Sequence, residues 1–200
     1  IQYINTFSKE NQNQVVLLLS MFQTIYTTKN YKNWLFSILN GFVNEGWDVD
    51  NYISNLEELA KKTAKDSNEL DKGTKVRHFI FNYLDYLLYK KYKDNSVSSY
   101  FPVESNRAAD FNELQSYFEK FRFTYRHSVE HCYAQNLGKN DEEIEQVIDN
   151  FGNLCLIEAD FNSSLSDNTP CLKRAKLLEL LRKNQDRSAS LKQVILLMYN

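Results

Sequence analysis

Val76-Arg77-His78-Phe79-Ile80-Phe81-Asn82-Tyr83-Leu84-Asp85-Tyr86-Leu87-Leu88-Tyr89-Lys90-Lys91-Tyr92 places apolar side chains at 76, 79, 80, 83, 84, 87 and 88. Steps of three and four residues are the period of an α-helix, so the stretch predicts a long helix with a wide apolar stripe. Upstream, Val15, Leu18, Leu19, Phe22, Ile25 and Tyr26 repeat the spacing and predict a second buried helical face. Between these, helices are expected over about Tyr31–Asn44, ending near Gly46, and over about Val49–Lys65, whose lysine-rich end suits the helix dipole. Downstream, the Ser- and Asn-rich run Asp94–Pro102 reads as a loop, and Asp110–Lys120 as a short helix.

The pattern then changes. Phe121, Phe123 and Tyr125 alternate with Arg122, Thr124 and Arg126, the period of a strand, and Leu154-Cys155-Leu156-Ile157 reads as a second short strand. Between them, Asp141–Ile148 reads as a helix opened by acidic residues. Asp167 or Asn168 is expected to cap a helix through about Arg182, and Ser188 or Ser190 a last one through Met198. The expected fold is mainly α with a small strand-and-helix element, an α+β arrangement without internal repeats. It divides into a helical block over 1–110 and a module with terminal helices over 111–200.

Composition agrees. Two hundred residues at 23.6 kDa, 42% hydrophobic and 14% aromatic, suffice for a real core. Only 5 Gly and 2 Pro argue against low-complexity linkers and against a many-stranded sandwich or barrel. A net charge of −2 lowers the expectation of a nucleic-acid partner without removing it, because binding needs only a local basic patch. The 3 cysteines, Cys132, Cys155 and Cys171, form no C-x-x-C pair, which suits a reducing, cytoplasmic setting and leaves no zinc ribbon. Neither a membrane span nor a signal peptide is expected, and the opening at Ile1 suggests a processed or truncated chain.

Three segments could carry chemistry: Ser128-Val129-Glu130-His131-Cys132-Tyr133-Ala134-Gln135-Asn136, Asn150-Phe151-Gly152-Asn153-Leu154 and Phe161-Asn162-Ser163-Ser164-Leu165-Ser166. An imidazole can take a proton from water near neutral pH. An adjacent carboxylate is a hard oxygen ligand for Mg²⁺ or Mn²⁺, and an Asn on a following helix can supply another oxygen. A further Asn on the intervening turn can hold the imidazole's other nitrogen through its carbonyl. Spacing alone is weak support, since a Glu-His pair in a strand is most often a surface pair.

The stretch from about Arg126 to Lys176 resembles the C-terminal His-Me finger (HNH-like) nuclease domain of GmrSD-type modification-dependent restriction endonucleases. That family reads S-[IV]-E-H-I-[LY]-P-Q-N, then N-x-x-G-N-L-x-L-L, then L-N-S-S-L-S-N, then a lysine. Ser128–Asn136, then Phe151-Gly152-Asn153-Leu154-Cys155-Leu156-Ile157, then Phe161-Asn162-Ser163-Ser164-Leu165-Ser166-Asp167-Asn168 match it in order, spacing and neighbours, and Lys173 and Lys176 follow. Lys75-Val76-Arg77-His78-Phe79-Ile80-Phe81 also looks like the family's helix before the nuclease. The family's proline is Ala134 here, which leaves the loop past His131 freer. The family's N-terminal ParB-like nucleotide-hydrolysing domain carries an Asp-Gly-Gln-Gln-Arg motif, absent here, so the chain resembles the C-terminal part and nucleotide hydrolysis is not assigned to it.

The resemblance implies a metal-dependent DNA endonuclease domain of a bacterial phage-defence (restriction) protein. His131 would be the general base, Asn153 would position its ring, and Glu130 and Asn162 would bind one divalent cation, Mg²⁺ or Mn²⁺. The strands at Glu130-His131 and Leu154, with the helix at Asn162, would form a ββα-metal element. Residues 1–110 would connect or dock, and the partners would be DNA, modified DNA included, with a homodimer favoured if both strands are cut. Lys173, Arg174 and Lys176 would contact DNA. From Asn168 to Asn200, 7 basic residues face 2 acidic ones, a segment able to track phosphates or simply a solvated helix face. The alternatives are a catalytically silent DNA- or partner-binding module and a helical interaction scaffold. His78 is expected to be packed or on the surface and His127 structural. Cys132 is expected in the core, since neighbouring strand side chains point to opposite faces. A base stacking on an exposed Tyr or on Trp47 is conceivable.

Overall fold

The computed structural model describes residues 6–25, 33–65, 69–95, 115–138, 142–183 and 189–199. The expected loop lies mostly outside them, as do the start of the Asp110–Lys120 helix and Ser188.

Helices dominate, as the periodicity predicts. They are α1 (Lys9–Ile25), α2 (Asn33–Asn44), α3 (Tyr52–Ala64) and α4 (His78–Asn95), followed by a helical stretch over 115–120, α5. The chain then runs through β1 (Ser128–His131), α6 (Gln135–Gly138), α7 (Glu142–Val147), β2 (Leu154–Ile157), α8 (Ala159–Leu165), α9 (Pro170–Arg182) and α10 (Leu191–Tyr199). Local chemistry fixes the boundaries. Asp48 and Asn51 exchange side-chain-to-backbone bonds ahead of α3, which delays its start to Tyr52. α9 is capped by Thr169, with Pro170 in the first turn, in place of Asp167 or Asn168. Ser190 caps α10 by accepting from the Gln193 amide at 3.1 Å.

The central element is α4, which packs against α1, α3, α10 and β2. Its stripe is wider than the apolar pattern implies, because Asn82 and Asp85 are also buried. Asn82 donates to the Thr24 hydroxyl at 3.2 Å. Asp85 accepts from the Lys192 amide at 2.9 Å, at the positive end of α10, and faces Arg126 at 3.6 Å. Phe79, 1% exposed, packs with Phe22, which stacks in turn on Trp34. Full burial of one such side chain stabilises by roughly 1.5–3 kcal/mol.

Residues 121–127 form neither helix nor ladder, contrary to the expected strand there. The alternation was real, since Phe121 and Phe123 are buried, but it serves packing rather than pairing. The pairing segment lies just downstream. β1 and β2 are antiparallel, with Ser128 opposite Ile157, Val129 opposite Leu156, Glu130 opposite Cys155 and His131 opposite Leu154. Val129 and β2 pack on Val76, Ile80 and Phe81, so the first turns of α4 support the hairpin. The larger core cluster runs from Leu17, Leu18 and Phe22 to Cys155, Ile157, Phe161 and Leu177, across both expected halves. No described helix is long and apolar enough to cross a membrane.

Candidate functional site

Glu130 and His131 end β1, and alternation sends their side chains to opposite faces. The His131 ring is half-buried, and its Nε2 lies 2.7 Å from Asp149 Oδ1. Gln135 Nε2 donates to the same oxygen at 3.1 Å. These bonds, the one from His131 first, hold the Asp149 carboxyl below the usual carboxylate range. Asp149 is thus ionised at neutral pH and can only accept. Nε2 therefore carries a proton, and in the neutral ring Nδ1 keeps the lone pair. Asp149 is the functional residue that motif spacing missed. It stands at the first position of the family's N-x-x-G-N-L pattern, where this chain has Asp instead of Asn, one residue ahead of the Asn150–Asn153 turn. Gly73, at φ +56, packs beneath it, where an added Cβ would lie 3.3 Å from the Asp149 Cβ.

Asn153 does not touch the imidazole, contrary to expectation. Its Oδ1 accepts from the Tyr133 amide at 2.8 Å, and its Nδ2 donates to the carbonyls of Tyr133 at 3.0 Å and Ile148 at 2.8 Å. It ties the loop after His131 to the residue before Asp149, and so acts on both partners of the pair from behind. The turn carrying it is closed by Asn150, which accepts from the Gly152 amide at 3.0 Å. Lys192 donates to the Phe151 carbonyl and lies 3.5 Å from the Phe151 ring centroid.

On the other face of β1, Asn162 donates from Nδ2 to the Ser128 hydroxyl at 2.5 Å. Ser128 and Glu130 share that face, so Glu130 and Asn162 both belong to the side covered by α8 and α9. Lys173, expected on the DNA, is 1% exposed instead. Its ammonium donates to Glu130 Oε1 at 2.5 Å and to the His131 carbonyl at 2.6 Å. The reason is electrostatic: β1 turns the Glu130 carboxylate inward, and a buried charge needs a partner. Arg174 is half-buried, and Lys176 donates to the Ser164 carbonyl. Lys192 is also buried, so the positive surface of the C-terminal segment is smaller than its charge count suggests.

Glu130 and Asn162 each offer a hard oxygen, a carboxylate and an amide carbonyl, of the type that Mg²⁺ or Mn²⁺ takes alongside water and phosphate. The Glu130 carboxylate is held by the Lys173 ammonium, which a cation would have to displace. Among the described residues no group of three His, Cys, Asp or Glu side chains converges as a metal site. Cys132 and Cys155 are buried with their sulfurs 3.9 Å apart, and burial pushes the Cys155 thiol well up, so it is no nucleophile.

Neither curated proteins nor solved structures give a significant match. The family model described as GmrSD restriction endonucleases, C-terminal domain, matches residues 51–193, which take in α3, α4, the hairpin, Asn162 and all of α9. With most of its length and its whole candidate site inside that match, the chain belongs to the C-terminal domain family of the GmrSD restriction endonucleases.

Proposed function

We propose that the chain is a metal-dependent DNA endonuclease domain of the His-Me finger type, acting in phage defence. The observation that carries this reading is the His131–Asp149 pair, 2.7 Å apart at the end of a short antiparallel hairpin, within a restriction-endonuclease family. Asp149 keeps the proton on Nε2, so Nδ1 of His131 takes one from water as the general base. The resulting hydroxide attacks phosphorus, and the bond to the leaving oxygen breaks. Glu130 and Asn162 would hold the divalent cation on the other face of β1, with Lys173 released from Glu130, so that the phosphate would have to meet both faces at the end of the strand. When bound, the cation supplies stabilisation of the charge that builds on the phosphate and the leaving oxygen. Asn153 keeps the loop and Asp149 in place. Arg174 and Lys176 meet the DNA backbone, residues 1–110 serve as a docking block, and a homodimer suits cleavage of both strands.

Plasmid nicking with Mg²⁺ or Mn²⁺ tests this. Wild type is expected to nick and His131→Ala to lose at least 100-fold in rate, the contribution of a positioned base. Equal rates would reject the base. One observation favours a second reading, a catalytically silent DNA-binding module: Lys173 already neutralises Glu130. Calorimetric titration separates the two, since a silent module retains DNA but shows no heat with Mn²⁺.

A further inference from the structure

We infer that Tyr125 and His127 form a nucleobase-stacking subsite for the strand being cut, an inference that rests on the nuclease reading above. Their rings stack in the open, with centroids 4.9 Å apart and planes 20° apart. Tyr125 is 52% exposed although Phe121 and Phe123, earlier in the same alternation, are buried. The switch has a cause. Arg126, 1% exposed, takes the inward position opposite Asp85, and Tyr125 and His127 on either side of it are exposed.

The pair lies close to the base along the chain. The His127 amide donates to the Ile157 carbonyl at 3.3 Å, which ties the residue ahead of β1 to the end of β2. At no more than about 3.3 Å of rise per residue, the His127 backbone lies within about 13 Å of that of His131, a few nucleotides along an extended strand. Any base presents a π-face, so an exposed ring at that distance binds without reading sequence. The hydroxyl end of Tyr125 stays wet while its face is free to stack.

The test is fluorescence anisotropy with single-stranded oligonucleotides in a non-cleaving His131→Ala background. Adding Tyr125→Ala is expected to weaken binding about tenfold, within the range for loss of one stacked base, whereas adding Tyr125→Trp retains affinity. A 2-aminopurine placed near the cut should be quenched by the parent and not by Tyr125→Ala. Equal affinity and equal quenching for the parent and Tyr125→Ala would overturn the subsite alone. Failure of the parent to bind DNA at all would overturn both the subsite and the nuclease reading. Thermal melting of each variant checks folding, which an exposed side chain should leave unchanged.

Discussion

At Asp149, one carboxylate decides which imidazole nitrogen of His131 keeps its lone pair. Asp149→Asn removes that control, because an amide can donate as well as accept. The ring can then hold either tautomer, and only one leaves Nδ1 able to take a proton. Nicking by Asp149→Asn should fall about 10–100-fold, with melting unchanged because Asp149 is half exposed. A rate equal to wild type would remove Asp149 from the mechanism. Lys192 offers a second test at this scale. Burial holds its pKa at about 8, below the ordinary 10.5, while the nearby Asp85 carboxyl pulls the other way. Between those two values the unfolded chain carries a proton that the folded chain has released. Folding stability attributable to Lys192 therefore rises with pH through this window, and below about pH 8 the buried charge costs its full amount, on the order of 3 kcal/mol. Urea unfolding of wild type and Lys192→Met from pH 7.5 to 10.5 measures this. The difference between the two proteins should shift in favour of wild type as pH rises, and a constant difference would contradict it.

Elements differ in how well local pattern reveals them. α1 and α4 were legible because their apolar residues recur at helical spacing, and β2 because Leu154–Ile157 is a continuous apolar run. β1 was legible only through the resemblance, which places a strand at Glu130-His131, because its own pattern puts Ser128 and Glu130 on one face and Val129 and His131 on the other and so shows no apolar face. The stronger alternation just upstream drew the assignment to 121–126. The motif residues were readable by resemblance, but their contacts were not. The Glu130–Lys173 bond spans 43 residues and depends on how α9 crosses the hairpin, and Asn153 reaches Tyr133 across 20. α2 carries an equally nonlocal constraint. Gly41 looks like a helix-weakening residue, yet an added Cβ would lie 2.3 Å from the Trp47 ring. The turn after α2 folds Trp47 back onto this gap, and its amide donates to the Gly41 carbonyl at 3.1 Å. Although Ala has the better helix propensity, Gly41→Ala should destabilise by about 1–3 kcal/mol through overpacking. A lower urea midpoint with shifted tryptophan emission is expected, and a gain in stability would show that the ring moves aside freely.

Over the whole molecule, the distribution of buried side chains decides whether the helical block and the hairpin module can unfold separately. Composition suggested two regions joined near residue 110, and the functional roles proposed for them still differ. The core does not divide there. One buried cluster holds Phe22 of α1, Phe79 of α4, Phe118 of α5, Cys155 of β2 and Leu177 of α9. Asp85 of α4 accepts from the first turn of α10 and faces Arg126 just ahead of β1. Burial pushes this carboxyl up to about 6 against the pull of Arg126, so its place depends on elements from both regions at once. A hairpin of two four-residue strands is also too small to stand without the surface of α4 beneath it. Unfolding should therefore follow a single transition, with helical circular dichroism and tryptophan fluorescence changing together. Phe79→Ala empties a fully buried site at the centre of this cluster, and should cost about 3–5 kcal/mol. Because the hairpin rests on the same helix, the variant should lose protection of the β1 and β2 amides from hydrogen exchange as well as that of α1 and α4. Two separated transitions, or a hairpin that keeps its protection while α1 opens, would mean that residues 111–200 fold independently of the helices before them.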